Sequence, residues 1–243
     1  MTLCIDIGNT NIVYATWDKN DFVNIQRIET GTHDLLIPNI EKIKSIAITS
    51  VVPVLTNHYN NYFKRLYDIE SFIVNHQNCG IKLDVQIPSE VGPDRICNAI
   101  GTREKYGAPC IVIDFGSATT YDVINENGDF IGGAIAPGID VSANYLIQKA
   151  ALLKQAAFKF PNNIIGKNTE ANLQSGIMYS GLDAVEGMIK RIINETNYEN
   201  MNIILTGGFS SLISSRMEIL HKLDKTITLY GLKLIADNNK SSK

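Results

Sequence analysis

Apolar positions along the chain keep two periods, and the switches between them mark the elements. Leu3-Cys4-Ile5, Ile12-Val13-Tyr14-Ala15 and Phe22-Val23-Asn24-Ile25 are short apolar runs. The last two are separated by the turn-forming Asp18-Lys19-Asn20-Asp21. This predicts an N-terminal three-stranded antiparallel meander. The pattern returns at Ile111-Val112-Ile113, at Tyr121-Asp122-Val123 and, past the hairpin turn Asn125-Glu126-Asn127-Gly128, at Phe130-Ile131. Two more strands are expected at Ser45–Thr49 and Met201–Leu205. Helical spacing governs three stretches. One opens on Pro53, a residue suited to a first helical turn, and continues through Tyr62, Phe63 and Leu66. One runs from Asp94 to Tyr106, with Ile96, Ala99 and Ile100 on one face. The longest runs from about Asn168 to Asn194, with Leu173, Ile177, Leu182, Val185, Ile189 and Ile192 in repeat. The tail from Asn238 to Lys243 is polar and is expected to fray.

The two meanders are versions of one another. Each has an apolar strand, an Asp-x-Gly bend, small hydroxyl or amide residues and a second β-branched strand: Asp6-Ile7-Gly8-Asn9-Thr10-Asn11 in the first, Asp114-Phe115-Gly116-Ser117-Ala118-Thr119-Thr120 in the second. They lie roughly a hundred positions apart, too far for a solenoid repeat and right for a duplicated domain. No low-complexity tract marks a linker, so the boundary is placed near Gly107-Ala108-Pro109, giving expected domains at 1–108 and 109–243.

Composition narrows the classes. The 22 Lys+Arg against 25 Asp+Glu give a net charge of −3. This argues against a nucleic-acid binder driven by phosphate neutralisation. With 44% hydrophobic and 19% charged residues the chain is globular. Its apolar runs are strand-length, so no membrane partner is expected. The N-terminus has no cationic stretch before Asp6, and Cys4, Cys79, Cys97 and Cys110 show no CxxC spacing. Free thiols and a cytoplasmic location are therefore expected. The four histidines, His33, His58, His76 and His221, are scattered, which speaks against a zinc site.

The chemistry concentrates in a few glycine-bearing segments. A glycine at a strand end lets the backbone bend tightly and approach a ligand. Backbone N–H groups and the side chains of Asn9, Thr10, Ser117, Thr119 and Thr120 can then meet phosphate oxygens, and a terminal Asp can hold Mg²⁺ through water. Either bend alone would pass for a capped hairpin; the repetition favours a nucleotide. Thr206-Gly207-Gly208 joins a strand to a helix and leaves room for a flat base, or is a plain turn. Gly92-Pro93-Asp94-Arg95 opens a helix. Asp94 there is either favourable dipole chemistry or a general base, with Arg95 for an anionic substrate group. Gly132-Gly133-Ala134-Ile135-Ala136-Pro137-Gly138 admits either a close ligand or tight strand–helix packing. Gly166-Lys167-Asn168-Thr169 imitates the end of a Walker loop, but Pro161 stands at its first glycine and Asn168 follows the lysine.

Taken in order, these segments resemble the acetate and sugar kinase/Hsp70/actin superfamily and, within it, type III pantothenate kinase, over Leu3 to about Ser210. The resemblance implies an α/β fold of two ribonuclease-H-like (actin-like ATPase) domains flanking a central nucleotide cleft. It implies ATP-dependent phosphorylation of pantothenate, the first committed step of coenzyme A synthesis. Asp6 would organise Mg²⁺ through water, and Ile7, Gly8, Asn9, Thr10 and Asn11 would line the phosphate loop. Ser117, Thr119, Gly207 and Gly208 would also serve ATP. Gly92, Pro93, Asp94 and Arg95 would contact pantothenate, with Asp94 as base. Asp114 would ligate K⁺ or NH₄⁺. Thr169 would reach pantothenate across a homodimer interface, the two active sites being shared in this way. From its own composition, the Ala- and Ile-rich stretch from Ile139 to Leu153 is a candidate interface helix.

Three positions depart from the family pattern. Pro93 replaces the usual Ala and Ser117 the usual Thr, and Val85 stands where many members place a pantothenate-contacting Tyr. The alternatives are another small-molecule kinase or a phosphatase of the superfamily, and a non-catalytic nucleotide-binding accessory factor.

Overall fold

The structure is a computed structural model that describes residues 1–31, 35–198 and 200–241. His33 lies outside the described residues. The first half runs β1 (Thr2–Ile7), β2 (Asn11–Asp18), β3 (Asp21–Glu29), β4 (Ser45–Ser50), α1 (Pro53–Tyr67), β5 (Phe72–Ile73) and α2 (Pro93–Tyr106). It continues with β6 (Cys110–Phe115), β7 (Ala118–Ile124), β8 (Phe130–Pro137), α3 (Ile139–Lys149), α4 (Thr169–Thr196), β9 (Asn202–Gly207), α5 (Ser210–Ser214), β10 (Lys222–Leu223) and α6 (Ile227–Ser241).

One five-stranded sheet has the order β3-β2-β1-β4-β5, the other β8-β7-β6-β9-β10. The two orders match strand for strand: three consecutive strands, then two reached by crossover. β1 pairs antiparallel with β2 and parallel with β4. β6 pairs parallel with β9, as β4 does with β5 and β9 with β10. The duplication read from the Asp-x-Gly bends is therefore a duplication of sheet topology, as two ribonuclease-H-like domains require.

The chain divides into two compact units. The first holds Met1–Gly107, Ile124–Gly132 and Thr226–Lys243; the second holds Ala108–Val123 and Gly133–Lys225. In the first, Leu3, Ile5, Ile7, Ile12, Tyr14, Ile46 and Ile48 on the strands close on Leu55, Tyr59 and Phe63 of α1. Each such side chain contributes about 1.5–3 kcal/mol by leaving water. In the second, Ile111, Ile113, Phe115, Ile204 and Leu205 are buried on the sheet, and Met178, Val185 and Ile189 on α4.

As far as Ser241 the tail is helix rather than frayed chain, while Ser242 and Lys243 lie outside the described residues. α6 continues to Ser241, with Ile227, Leu229, Leu232, Ile235 and Ala236 buried. It packs backbone to backbone on α2. A Cβ on Gly231 would collide with the Cys97 carbonyl, and one on Gly101 with the Ile227 carbonyl. The buried Thr228 Oγ1 donates to Asn98 Oδ1 at 2.6 Å beside this crossing. The polar tail sequence was a poor guide because its last turns are held by Asn239, whose Nδ2 donates to the Asn78 carbonyl, and by Lys240, whose Nζ donates to Ser45 Oγ.

Candidate functional site

The first acidic bend closes β1 onto β2. Asp6 is half-buried at the end of β1, opposite Thr49 of β4. Gly8 N donates to the Asn11 carbonyl at 2.9 Å, which leaves Asn9 and Thr10 exposed at the tip. Thr30 braces this loop from the end of β3: its Oγ1 donates to the Gly8 carbonyl at 2.7 Å and its N to the Thr10 carbonyl at 2.9 Å. Ile7 contributes only backbone here. Its side chain is fully buried, and its carbonyl accepts from Val51 N.

α2 delivers the second carboxylate of the first unit. Gly92 is its N-cap and Pro93 its first residue. Arg95 N donates to Asp94 Oδ1 at 2.9 Å. A Cβ on Gly92 would stand 2.5 Å from that same oxygen, so the glycine makes the room in which the carboxylate sits. Burial raises the Asp94 pKa above the usual carboxylate range, opposed by the Arg95 N–H and the Arg95 charge. Burial likewise raises the Cys97 thiol one turn on, the Thr49 hydroxyl opposes it, and the charges of Asp6 and Asp94 add to the rise. The Thr49 hydroxyl has no oxygen or nitrogen partner among the described residues and lies against that thiol. Asp6 and Asp94 thus share one neighbourhood, although they are on different elements.

The Arg95 guanidinium lies over the Phe130 ring, 5.5 Å from its centroid. Val85 is half-buried and faces Gly132, whose φ is +114°, with 3.9 Å from its Cγ1 to a Cβ built there. These residues bring Val85, Arg95 and Asp94 into the same unit.

In the second unit, Asp114 ends β6 in register with Thr206 of β9. Gly207, at φ +86°, is pressed against it: a Cβ there would strike Asp114 Oδ1 and stand 2.6 Å from Phe115 N. Gly116 N donates to the Ala118 carbonyl and Gly208 N to the Phe115 carbonyl. Gly138 covers the bend, its N donating to the Ser117 carbonyl at 3.0 Å. Ser117 is half-buried, Gly208 exposed, and Thr119 only 4% exposed. The segment from Gly132 to Pro137 is strand β8, and the close approach at Gly133 is to the Tyr121 carbonyl of β7. Strand–strand contact is thus what this glycine serves, rather than strand–helix packing. Asn168, which spoils the Walker imitation, caps α4: its Oδ1 accepts from Ala171 N, and Thr169 is the exposed first residue.

Thr30 and Phe130 were not legible as site residues. Pairing of β2 with β3 shifts by one between Tyr14 and Thr16, and the extra residue on β3 is what brings Thr30 opposite Thr10.

A family model described as type III pantothenate kinase matches residues 2–191. The chain belongs to this family. A type III pantothenate kinase of Thermomicrobium roseum is 39% identical over 96% of the chain and 95% of its own length. One from a Roseiflexus species is 37% identical over 99% and 100%. An activator of 2-hydroxyisocaproyl-CoA dehydratase from Clostridium difficile, solved with bound ADPNP, shares the fold with a TM-score of 0.55. It is 14% identical, over 99% of this chain and 96% of that one. Type III pantothenate kinases phosphorylate pantothenate in coenzyme A biosynthesis, and as kinases they use ATP. No helix among the described residues is long and apolar enough to cross a membrane.

The metal that accompanies a kinase nucleotide can be tested against the donors present. Among the described residues no three His, Cys, Asp or Glu side chains gather to hold an ion by themselves. Asp6 at a strand end, beside a loop with exposed hydroxyl and amide groups, fits Mg²⁺, which keeps its waters and takes one or two carboxylates plus phosphate oxygens. Asp114, walled by Gly207 and near the Ser117 bend, offers hard oxygens of the kind a monovalent cation takes.

Proposed function

We propose that Asp94 is the general base with which this chain phosphorylates pantothenate. The observation that carries the reading is the placement of its carboxylate. It sits at the start of α2, in space left by Gly92, with its basicity raised by burial and with Asp6 close by. A base that works near neutral pH benefits from a pKa shifted towards it.

In this reading Asp94 takes the proton of the primary hydroxyl. The freed oxygen bonds to the γ-phosphorus of ATP, and the bond to the β,γ-bridging oxygen breaks. The products are 4′-phosphopantothenate and ADP. Arg95 pairs with the substrate carboxylate, and Gly92, Pro93 and Val85 shape its pocket. Asn9, Thr10 and Asn11 hold phosphates in the first unit. Ser117, Thr119, Gly207 and Gly208 serve the nucleotide in the second. Asp6 would hold Mg²⁺ through water, and Asp114 would hold K⁺ or NH₄⁺. These ions, when bound, neutralise phosphate charge, and positioning with charge neutralisation is most of phosphoryl-transfer catalysis.

A homodimer completes the reading. Ile135, Val141, Tyr145 and Leu146 are exposed apolar residues on β8 and α3, which suits a second copy, and Thr169 would then serve its partner's pantothenate. Two lobes between which the chain first crosses near Pro109, with residues 124–132 and 226–243 returning to the first, and a cytoplasmic location belong to the same proposal.

The test is an ADP-release assay with pantothenate on Asp94→Asn. Loss of about 10²–10⁴ in kcat is expected for a general base, with the fold retained. Turnover at the parent rate would remove Asp94 from this role. A panel of other alcohol acceptors separates pantothenate phosphorylation from related kinase chemistry.

A further inference from the structure

The hairpin tip at residues 124–132 belongs to the first unit although its strands are part of the second sheet's order. Three sets of contacts fix it there. Phe130 N donates to the Lys82 carbonyl at 3.0 Å and Asp84 N donates to the Phe130 carbonyl at 2.8 Å, so Leu83 and Phe130 form a parallel bridge. Arg103 Nη1, on α2, donates to the Gly128 carbonyl at 3.1 Å. Lys82 Nζ lies 3.7 Å from Asp129 Oδ2. The tip closes itself through Asn125, whose Oδ1 and backbone carbonyl accept from Asp129 N and Gly128 N.

A hairpin needs none of these external anchors to turn. Their combined effect is to hold one ring: Phe130 is 1% exposed and lies under the Arg95 guanidinium. The same strand pairing sets Gly132 against Val85, two residues beyond Leu83. One short segment therefore touches both the arginine and the wall residue of the pantothenate pocket as read above. An arginine side chain has several rotatable bonds and loses much entropy on being held. An aromatic face beneath it restrains the guanidinium and leaves its N–H edge available to a carboxylate.

We propose that Phe130 is a positioning residue for pantothenate recognition: its ring, clamped by residues 82–84 and Arg103, holds Arg95 in the orientation that pairs with the substrate carboxylate. This rests on the reading of Arg95 as the carboxylate partner, and the experiment separates the two.

Steady-state constants are measured for Phe130→Leu, Phe130→Tyr, Arg95→Ala and the double variant Phe130→Leu/Arg95→Ala. The substrates are pantothenate and its uncharged alcohol analogue, in which a primary hydroxyl replaces the carboxylate. Phe130→Leu is expected to raise the KM for pantothenate about tenfold, with kcat and the KM for ATP within about twofold. Phe130→Tyr, which keeps the ring, should retain the parent KM. The uncharged analogue should not distinguish Phe130→Leu from the parent, and in the Arg95→Ala background Phe130→Leu should add nothing. If Phe130→Leu does not fold, Phe130→Met, which fills a similar volume without the aromatic face, takes its place. Equal KM increases for the charged and uncharged substrates would overturn the proposal, since a general packing defect acts on both. An unchanged pantothenate KM in Arg95→Ala would instead remove the underlying reading of Arg95.

Discussion

The two acidic bends begin alike and close differently. In the first, Gly8 N reaches the Asn11 carbonyl, and in the second Gly116 N reaches the Ala118 carbonyl, so the first loop carries one residue more. The extra residue leaves Asn9 and Thr10 exposed, with Thr30 gripping the loop from beneath. The second bend is tighter and is walled by two other glycines: Gly207 lies on its aspartate and Gly138 on its backbone. The first bend is thus an open loop with polar groups to offer. The second is a close-packed corner whose aspartate occupies a narrow place. Duplicated sequence has kept the carboxylates and let the backbones diverge, which matches distinct tasks for Asp6 and Asp114.

Glycine substitutions should expose that difference most sharply. Gly207→Ala places a side chain at φ +86° and into Asp114. Left-handed backbone and overpacking together should cost about 2–4 kcal/mol, read as a lowered denaturant midpoint, with loss of turnover. Gly8→Ala brings a Cβ only to 3.1 Å from the Asn11 carbonyl and should cost under about 1 kcal/mol. Equal costs at the two glycines would erase the distinction. Next, replacing K⁺ or NH₄⁺ by Na⁺ should lower activity several-fold if Asp114 holds the cation, and Asp114→Asn should remove the ion dependence that Asp6→Asn retains. Thr30→Val deletes one hydrogen bond to the open loop and should cost about 1 kcal/mol. It should also raise the KM for ATP a few-fold with pantothenate KM unchanged.

The smallest effect concerns pH. Asp94 has its folded pKa raised by burial, so the native state holds its proton more tightly than the unfolded chain does. Stability from this group is full below the unfolded pKa and is lost as pH rises through the folded one. Asp94→Asn cannot titrate, so its melting temperature at neutral pH should be no lower than the parent's, and its stability should fall less over the acidic range. A clear drop would mean that the carboxylate supports the fold rather than straining it. The acid limb of kcat/KM should correspondingly lie above the usual carboxylate range.

Much of the site was legible because it is local. Asp-x-Gly bends, the proline-led α1 and α2, and the start of the helix after Asn168 depend on neighbours a few residues away, and each element is where its residues predict it. α6 was not read from the sequence at all: Ile227, Leu232 and Ile235 are buried along it, and the polar residues beyond them are held by distant partners such as Asn78 and Ser45. Gly101 and Gly231 stand inside helices with no local reason, and the crossing of α2 and α6 explains them.

By itself, then, the sequence determined the duplicated strand–bend–strand pattern, the family and the residue types offered to phosphate and metal, because periodicity, turn chemistry and bend spacing act over a few residues. The tertiary structure alone decided which distant groups meet. A single extra residue in β3 aligns Thr30 with Thr10, and a hairpin tip far along the chain puts Phe130 beneath Arg95. Such contacts follow from strand register and helix crossing, which are set by packing the whole core rather than by any short run of residues.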